Sequence, residues 1–218
     1  PDHDRGLAEL SDGELAGVLA MYQRRILAAR ADPRIVYATI FKNSGPEAGA
    51  SLVHSHSQLK AIGFVPRRIA EEVDAHRSGV FERRLVSADY VAKSARMAAL
   101  SPSDARMPYE VWLIPAEAEE RFEEAGEETI EDAAAMLGRL LRAMNAIASR
   151  PPYHLLVHTA PFRGGAGFRW RIEIVPRLAR IAGFELAAGV FINQTSPEQA
   201  GQLYREALAS AGDSGAGS

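Results

Sequence analysis

Residues 54–58 read His54-Ser55-His56-Ser57-Gln58, and these are the side chains whose type and spacing could do chemistry. Imidazole is a competent nucleophile near neutral pH when its second nitrogen is held by a hydrogen bond. In a strand, alternate side chains share a face, so His54, His56 and Gln58 point one way and Val53, Ser55, Ser57 and Leu59 the other. Just upstream, Asn43-Ser44-Gly45-Pro46-Glu47-Ala48-Gly49-Ala50 forms a Gly-punctuated loop. Such a loop lets backbone N–H groups approach an anion. Together these residues suggest phosphoryl or nucleotidyl chemistry on histidine. They leave open a polar edge strand or a metal-binding pair. A bare H-x-H is weak evidence. H-x-H-x-Q behind Phe41-Lys42-Asn43 and a loop ending Ala48-Gly49-Ala50-Ser51 is far more specific.

The elements that must position these residues are legible in outline. Ser11 with Glu14 reads as a capping box, and Leu15, Val18, Leu19, Tyr22, Ile26 and Leu27 continue a helix to about Ala31. Residues 35–41 (IVYATIF) predict a strand, and a second strand is predicted over about 51–61. Pro66 opens a polar helical stretch. Strands are predicted at about 90–99, 109–114, 153–157 and 168–175. A long helix carries Ile130, Leu137, Leu140, Leu141 and Met144 on one stripe, with Thr129 and Asp132 as candidate caps. Ser196-Pro197-Glu198-Gln199 opens a last helix, and the small polar residues 211–218 predict a disordered tail. Helix, strand, Gly-rich loop and strand occur twice, over 11–61 and again over 129–175. Overlaying the final strands sets His54, His56 and Gln58 against Arg169, Arg171 and Glu173, so the chemistry resides in the first copy.

Composition bounds the function. With 218 residues the chain can bury a sizeable core, and 47% apolar content excludes a disordered chain. A net charge of -3 argues against binding nucleic acid, which calls for a basic excess. Zero Cys excludes a disulfide scaffold, a thiolate metal cage or a thiol nucleophile within this chain. No apolar run approaches the roughly 20 residues of a membrane span, and no signal peptide is visible. The expected location is cytoplasmic. The chain begins at Pro1 rather than Met, which leaves open a processed protein, an expressed piece or an incomplete sequence.

Phe41-Lys42-Asn43, Gly49, Ser51 and the H-x-H-x-Q run resemble the active-site segment of the galactose-1-phosphate uridylyltransferase family, within the histidine-triad superfamily. The run AGASLVHSHSQL is especially similar to the branch containing ADP-glucose phosphorylase. So are His158-Thr159-Ala160-Pro161-Phe162, Ile172-Glu173-Ile174-Val175-Pro176-Arg177-Leu178 and Ala182-Gly183-Phe184-Glu185. The resemblance implies an α+β fold of duplicated, antiparallel histidine-triad-like sheets with flanking helices and an incomplete first copy. Residues 1–65 would be the end of the first half and 66–210 the second domain. It implies a double displacement in which His56 attacks the α-phosphorus of a nucleotide sugar and a sugar 1-phosphate leaves. A sugar phosphate or inorganic phosphate then takes the nucleotidyl group. Because the leaving group is already a stable anion, a neutral Gln58 donating to a phosphoryl oxygen suffices. Asn43, Gly49 and Ser51 match substrate-binding positions. Phe184 and Glu185 match a segment that reaches the substrate across a homodimer interface. The alternatives are a nucleotide hydrolase or dinucleoside polyphosphate phosphorylase, which would favour a third histidine over Gln58, and an inactive nucleotide-binding relative.

The resemblance also implies zinc, with His54 as one ligand and the cysteine ligands outside this chain. Glu72 and His158 fall where a second metal would find ligands. Arg169 and Arg171 stand where relatives often have histidines, and arginine does not ligate metals, so these guanidiniums are expected to pair with Glu72 or a substrate phosphate. Strands expected before Ser11 are not in the chain, which fits a piece of a longer enzyme, a second polypeptide or a reduced relative. His76 is expected to be solvated, His154 structural, Trp112 and Trp170 core, and the acidic run before Thr129 a solvated face.

Overall fold

Ser11 opens the first helix as its spacing predicts. Its hydroxyl accepts from the Glu14 N–H at 3.2 Å, and the Glu14 carboxylate accepts from the Ser11 N–H at 2.8 Å. The reciprocal pair satisfies two donors that a helix start otherwise leaves open. The computed structural model describes residues 5–52 and 54–213. In it the helix, α1, spans Asp12–Arg30 and buries Leu15, Leu19, Tyr22 and Ile26. After it come β1 (Tyr37–Ser44), a 3-10 turn (Pro46–Ala48), β2 (Gln58–Ile62), α2 (Arg67–Arg77) and α3 (Val80–Val86). Then follow β3 (Asp89–Lys93), β4 (Met97–Ser101), β5 (Val111–Pro115), α4 (Glu127–Ala148), β6 (Tyr153–His158), β7 (Arg171–Pro176), α5 (Gly183–Ala188) and α6 (Pro197–Asp213).

The strands form one seven-stranded antiparallel sheet in the order β2-β1-β6-β7-β5-β4-β3. The fold is therefore α+β with helices flanking an antiparallel sheet. The β1–β6 ladder joins residues 1–65 to 66–210 in the same sheet. Ile40, Leu155, Val157, Ile172 and Ile174 face α1, α4 and α6 and form the main core with them. The opposite face is covered over β4 and β5 by Phe81 and Leu85 of α3. Over β1, β2 and β6 it leaves Phe41, Asn43, Gln58, His154 and Leu156 half-buried.

The internal repeat is visible in the register. Phe41 stands opposite Gln58 on one side and Leu156 on the other, and Leu156 stands opposite Glu173. Antiparallel strands paired in this way are related by a local two-fold axis, which passes between Phe41 and Leu156. The single shift that carries Phe41 onto Leu156 also carries the start of α1, Asp12, onto that of α4, Glu127. It carries Gln58 onto Glu173, and Gly49 (φ 76°) onto Gly164 (φ 77°).

Several expectations are corrected. The strand expected over 51–61 pairs only from Gln58 onward; β1 runs on to Ser44, but residues 54–57 take no place in the ladder beside it. Val53 lies outside the described residues. The strand expected near 90–99 is a hairpin, β3–β4, whose turn is clamped by Asp132 accepting from the Ser94 hydroxyl and the Arg96 N–H, each at 2.8 Å. Asp132 thus caps a turn rather than α4. The cap of α4 is Gly126, and Thr129 lies buried in the first turn. The acidic run is not simply solvated. Glu119 accepts from the Trp170 indole at 3.0 Å, and Glu123 is buried against the Thr159 hydroxyl. His76 is buried between Phe81 and Phe168, and burial pushes its imidazole below its usual pKa. Residues 211–213 belong to α6, and 214–218 lie outside the described residues. No helix among the described residues is long and apolar enough to cross a membrane.

Candidate active site

The segment carrying the histidines leaves the 3-10 turn at Gly49 and reaches the sheet at Gln58. Gly49 ends that turn at φ 76°, a left-handed conformation that glycine adopts without steric cost. His56 Nδ1 lies 3.1 Å from the His54 carbonyl. That oxygen can only accept, so Nδ1 carries the proton and Nε2 carries the lone pair in the neutral ring. The His54 and His56 rings stand edge to face, 6.1 Å apart. His56 is half-buried and lines a cavity of about 410 Å³ with Val18, Tyr22, Ser55 and Ser57. Gln58 is half-buried at the first position of β2, and Ser51 is exposed. Residues 54–57 take no place in the ladder, and Ser55 and Ser57 are anchored instead by side-chain hydrogen bonds. Lys42 Nζ donates to the Ser55 hydroxyl at 2.8 Å and to the His56 carbonyl at 3.2 Å. The Tyr22 and Ser57 hydroxyls meet at 2.5 Å.

Asn43 sits at the end of β1, directly opposite His154 of β6. Burial, with Arg177 and Arg106 nearby, pushes the His154 imidazole below its usual pKa. The neutral ring's Nδ1 lies 2.9 Å from Asn43 Oδ1, to which it donates. The Asn43 amide nitrogen is thereby turned toward the Gly49 carbonyl, 3.5 Å away. Asn43, Gly49 and His154 form one group. His154 does more than pack, and its role was hidden in the sequence because the β1–β6 pairing joins residues far apart in the chain. Lys42 was also passed over, although it lies on the same strand face as the buried Ala38 and Ile40.

The second copy holds a different arrangement at the matching positions. Arg171, where the shift places His56, is almost fully buried. It donates to Glu72 at 2.9 Å and to Glu173 at 2.8 Å, and its guanidinium lies 4.7 Å from the Trp112 ring centroid. Arg106 reaches the other Glu173 oxygen at 2.5 Å, and His158 Nε2 lies 3.3 Å from Glu173. Burial pushes the Glu173 carboxyl up, but the charges of His158, Arg171 and Arg106 outweigh it and hold the group well below the usual carboxylate range. This cluster answers the second-metal expectation. The guanidinium of Arg171 occupies the carboxylates a cation would need, so Glu72 and His158 do not fit a metal. Among the described residues no three His, Asp or Glu converge on a metal-sized site. Arg171 pairs with Glu72 as expected. Arg169 instead pairs with Glu82 and with the Pro115 and Ala116 carbonyls.

Phe184 and Glu185 lie on the short α5. Phe184 is exposed, and Glu185 accepts from the Ala182 N–H at 3.0 Å. No hydrogen bond among the described residues joins either of them to His56, Gln58 or Asn43. A larger cavity of about 730 Å³ lies over the ion-paired half of the open face, between Arg68, Arg106, Trp112, Arg171, Phe191 and Asn193. His56 does not line it, and its charged walls are already paired with one another. The smaller cavity is the one that His56 lines.

The fold is α+β and presents an imidazole with its proton on Nδ1 beside a glycine turn. Comparison with known proteins adds to this. No family model matches the chain. It is 29% identical over 217 residues to an ADP-glucose phosphorylase of Arabidopsis thaliana, covering 94% of this chain and 62% of that protein. It is 28% identical over 225 residues to a galactose-1-phosphate uridylyltransferase of Thermotoga maritima, covering 94% of this chain and 71% of that protein. A solved ADP-glucose phosphorylase from Arabidopsis thaliana with bound ADP-glucose superposes with a TM-score of 0.89 at 27% identity, over 94% of this chain and 69% of that one. The chain thus resembles these two kinds of enzyme over nearly its whole length, while spanning less than two thirds of the plant phosphorylase sequence.

Proposed function

We propose that this chain carries the nucleophilic centre of a nucleotidyltransferase acting on nucleotide sugars, of the uridylyltransferase or ADP-glucose phosphorylase kind. The observation that supports the reading is the His56 Nδ1 contact with the His54 carbonyl, which puts the proton on Nδ1 and leaves the lone pair on Nε2, in a residue that lines a cavity. Nε2 forms a bond to the α-phosphorus of the nucleotide sugar. The bond from that phosphorus to the bridging oxygen breaks, and its electron pair leaves with the sugar 1-phosphate. A sugar phosphate or inorganic phosphate then attacks the same phosphorus and returns the imidazole. The departing phosphate is an anion before and after the step, so no general acid is needed. Gln58 donates to a phosphoryl oxygen, where charge builds in the transition state. Asn43, held by His154, and the Gly49–Ser51 backbone bind the phosphates.

Zinc on His54 belongs to the same proposal only with ligands from outside this chain, and no step depends on it. A homodimer is part of the reading as well. Leu178, Ile181, Phe184, Leu186, Val190 and Ile192 are exposed within one short stretch, and an apolar surface of that kind marks an interaction site. A cytoplasmic location completes it. The test is incubation with radiolabelled ADP-glucose or a UDP-sugar. The wild type should retain an acid-labile, base-stable label and His56→Asn none; equal labelling of both proteins would refute the assignment.

A further inference from the structure

The residues that hold the catalytic segment are polar where the other copy of the repeat is hydrocarbon. The shift that carries Gln58 onto Glu173 carries Lys42 onto Val157, Ser55 onto Trp170, Ser57 onto Ile172 and Tyr22 onto Leu137. All four of those partners are buried core residues. In the first copy the matching positions hold a buried ammonium group and a buried phenol, Lys42 and Tyr22, with Ser55 and Ser57 exposed beside them. Lys42 is 3% exposed. Buried polar networks are in general no more stabilising than well-packed apolar side chains of similar size, and a buried charge is costly to desolvate. Stability therefore does not explain them, and their hydrogen bonds do. They attach to residues 55–57, which take no place in the ladder. Lys42 holds the Ser55 hydroxyl and the His56 carbonyl, and Tyr22 holds Ser57. The two serines flank His56, and with Tyr22 they line the same cavity as His56.

We propose that Lys42 and Tyr22, acting through Ser55 and Ser57, are positioning residues that strap the His56 segment in place and fix the orientation and tautomer of its ring. The proposal rests on the assignment of His56 as nucleophile. Without the strap, the His54 carbonyl no longer lies in register with Nδ1, and Nε2 spends part of its time protonated or turned from the phosphorus. Misplacement of a reacting group by about 1 Å costs on the order of 100-fold in rate.

The test uses the chain with Lys42→Met, Tyr22→Phe, Ser57→Ala and the Tyr22→Phe/Ser57→Ala double variant, each checked for folding by circular dichroism. Two readouts separate positioning from mere stability. The first, without substrate, is the ¹⁵N imidazole shift of His56. The wild type should show the Nδ1–H form, and the variants a mixture of tautomers. The second is the rate of nucleotidyl adduct formation against affinity for the nucleotide sugar. The rate should fall roughly 10- to 100-fold with affinity unchanged, and the double variant should be no slower than Tyr22→Phe alone. Unchanged ¹⁵N shifts and adduct rates in folded variants would overturn the strap. If the wild type forms no adduct, the nucleophile assignment fails instead, and the ¹⁵N shifts still decide whether the strap orients the ring. Should Lys42→Met fail to fold, Tyr22→Phe, which removes one oxygen, decides by the same measurements.

Discussion

A histidine attacks phosphorus only if the proton it carries is on the other nitrogen, and in this chain a carbonyl two residues away fixes that choice. The same repeat position in the second copy shows what the site becomes without that constraint. Arg171 replaces the imidazole, and Glu173 replaces Gln58 in a buried ion cluster. Glu173 is the keystone of that cluster, so removing its charge leaves Arg171, Arg106 and Arg68 without it. Glu173→Gln should cost about 3–5 kcal/mol in urea unfolding at pH 7. The folded carboxyl titrates below its unfolded value near 4.5. Its contribution is therefore complete above that pH and is lost as pH falls toward the folded value. The gap between wild type and Glu173→Gln should narrow as pH falls below about 4.5. A gap that stays constant to pH 3 would contradict the assignment. His54, His56, Gln58, Asn43 and Gly49 could be singled out in the sequence because their types and spacing are unusual. His154 and Lys42 could not, since one acts through a long-range ladder and the other through a serine whose direction the sequence leaves open.

At the scale of elements, local chemistry was the reliable guide. The Ser11 box, the Ser196 start of α6 and the stripe on α4 depend on neighbours within a few residues, and each lies where its pattern placed it. Ser11→Ala removes a cap oxygen and should cost about 1 kcal/mol. For a domain of this size that is about 2–4 °C in melting temperature by scanning calorimetry. An unchanged melting temperature would mean that α1 is held by packing alone. The failures share a different cause. The strand expected over 51–61 has the right residue types, but residues 54–57 stand off the end of β1, which runs on to Ser44, and are held by Lys42 and Tyr22 instead of by ladder bonds. The hairpin of β3 and β4 was taken for one strand because its turn, Ser94–Arg96, lacks glycine and proline and is held instead by Asp132 on a distant helix.

For the whole molecule, the local two-fold explains why two similar halves differ in use. One sheet and one helical layer serve both, so either hairpin can specialise while the other packs. The order of elements made the repeat visible in the sequence. Its symmetry became visible only with the Phe41–Leu156 pairing, which no local pattern encodes. The exposed apolar stretch around α5 belongs to this scale, because nothing among the described residues covers it. Light scattering at micromolar concentration should find a dimer for the wild type and a monomer for Phe184→Asp/Leu186→Asp, with unchanged circular dichroism. A monomeric wild type would refute the dimer.

The most direct measurement is peptide mapping by mass spectrometry, kept alkaline throughout, after reaction with ADP-glucose or a UDP-sugar. The chain has six histidines. The nucleotidyl mass should appear on the peptide containing 54–58, with fragmentation placing it on His56. Its appearance on any other side chain, or sugar 1-phosphate release with no modified peptide at any time point, would contradict the account.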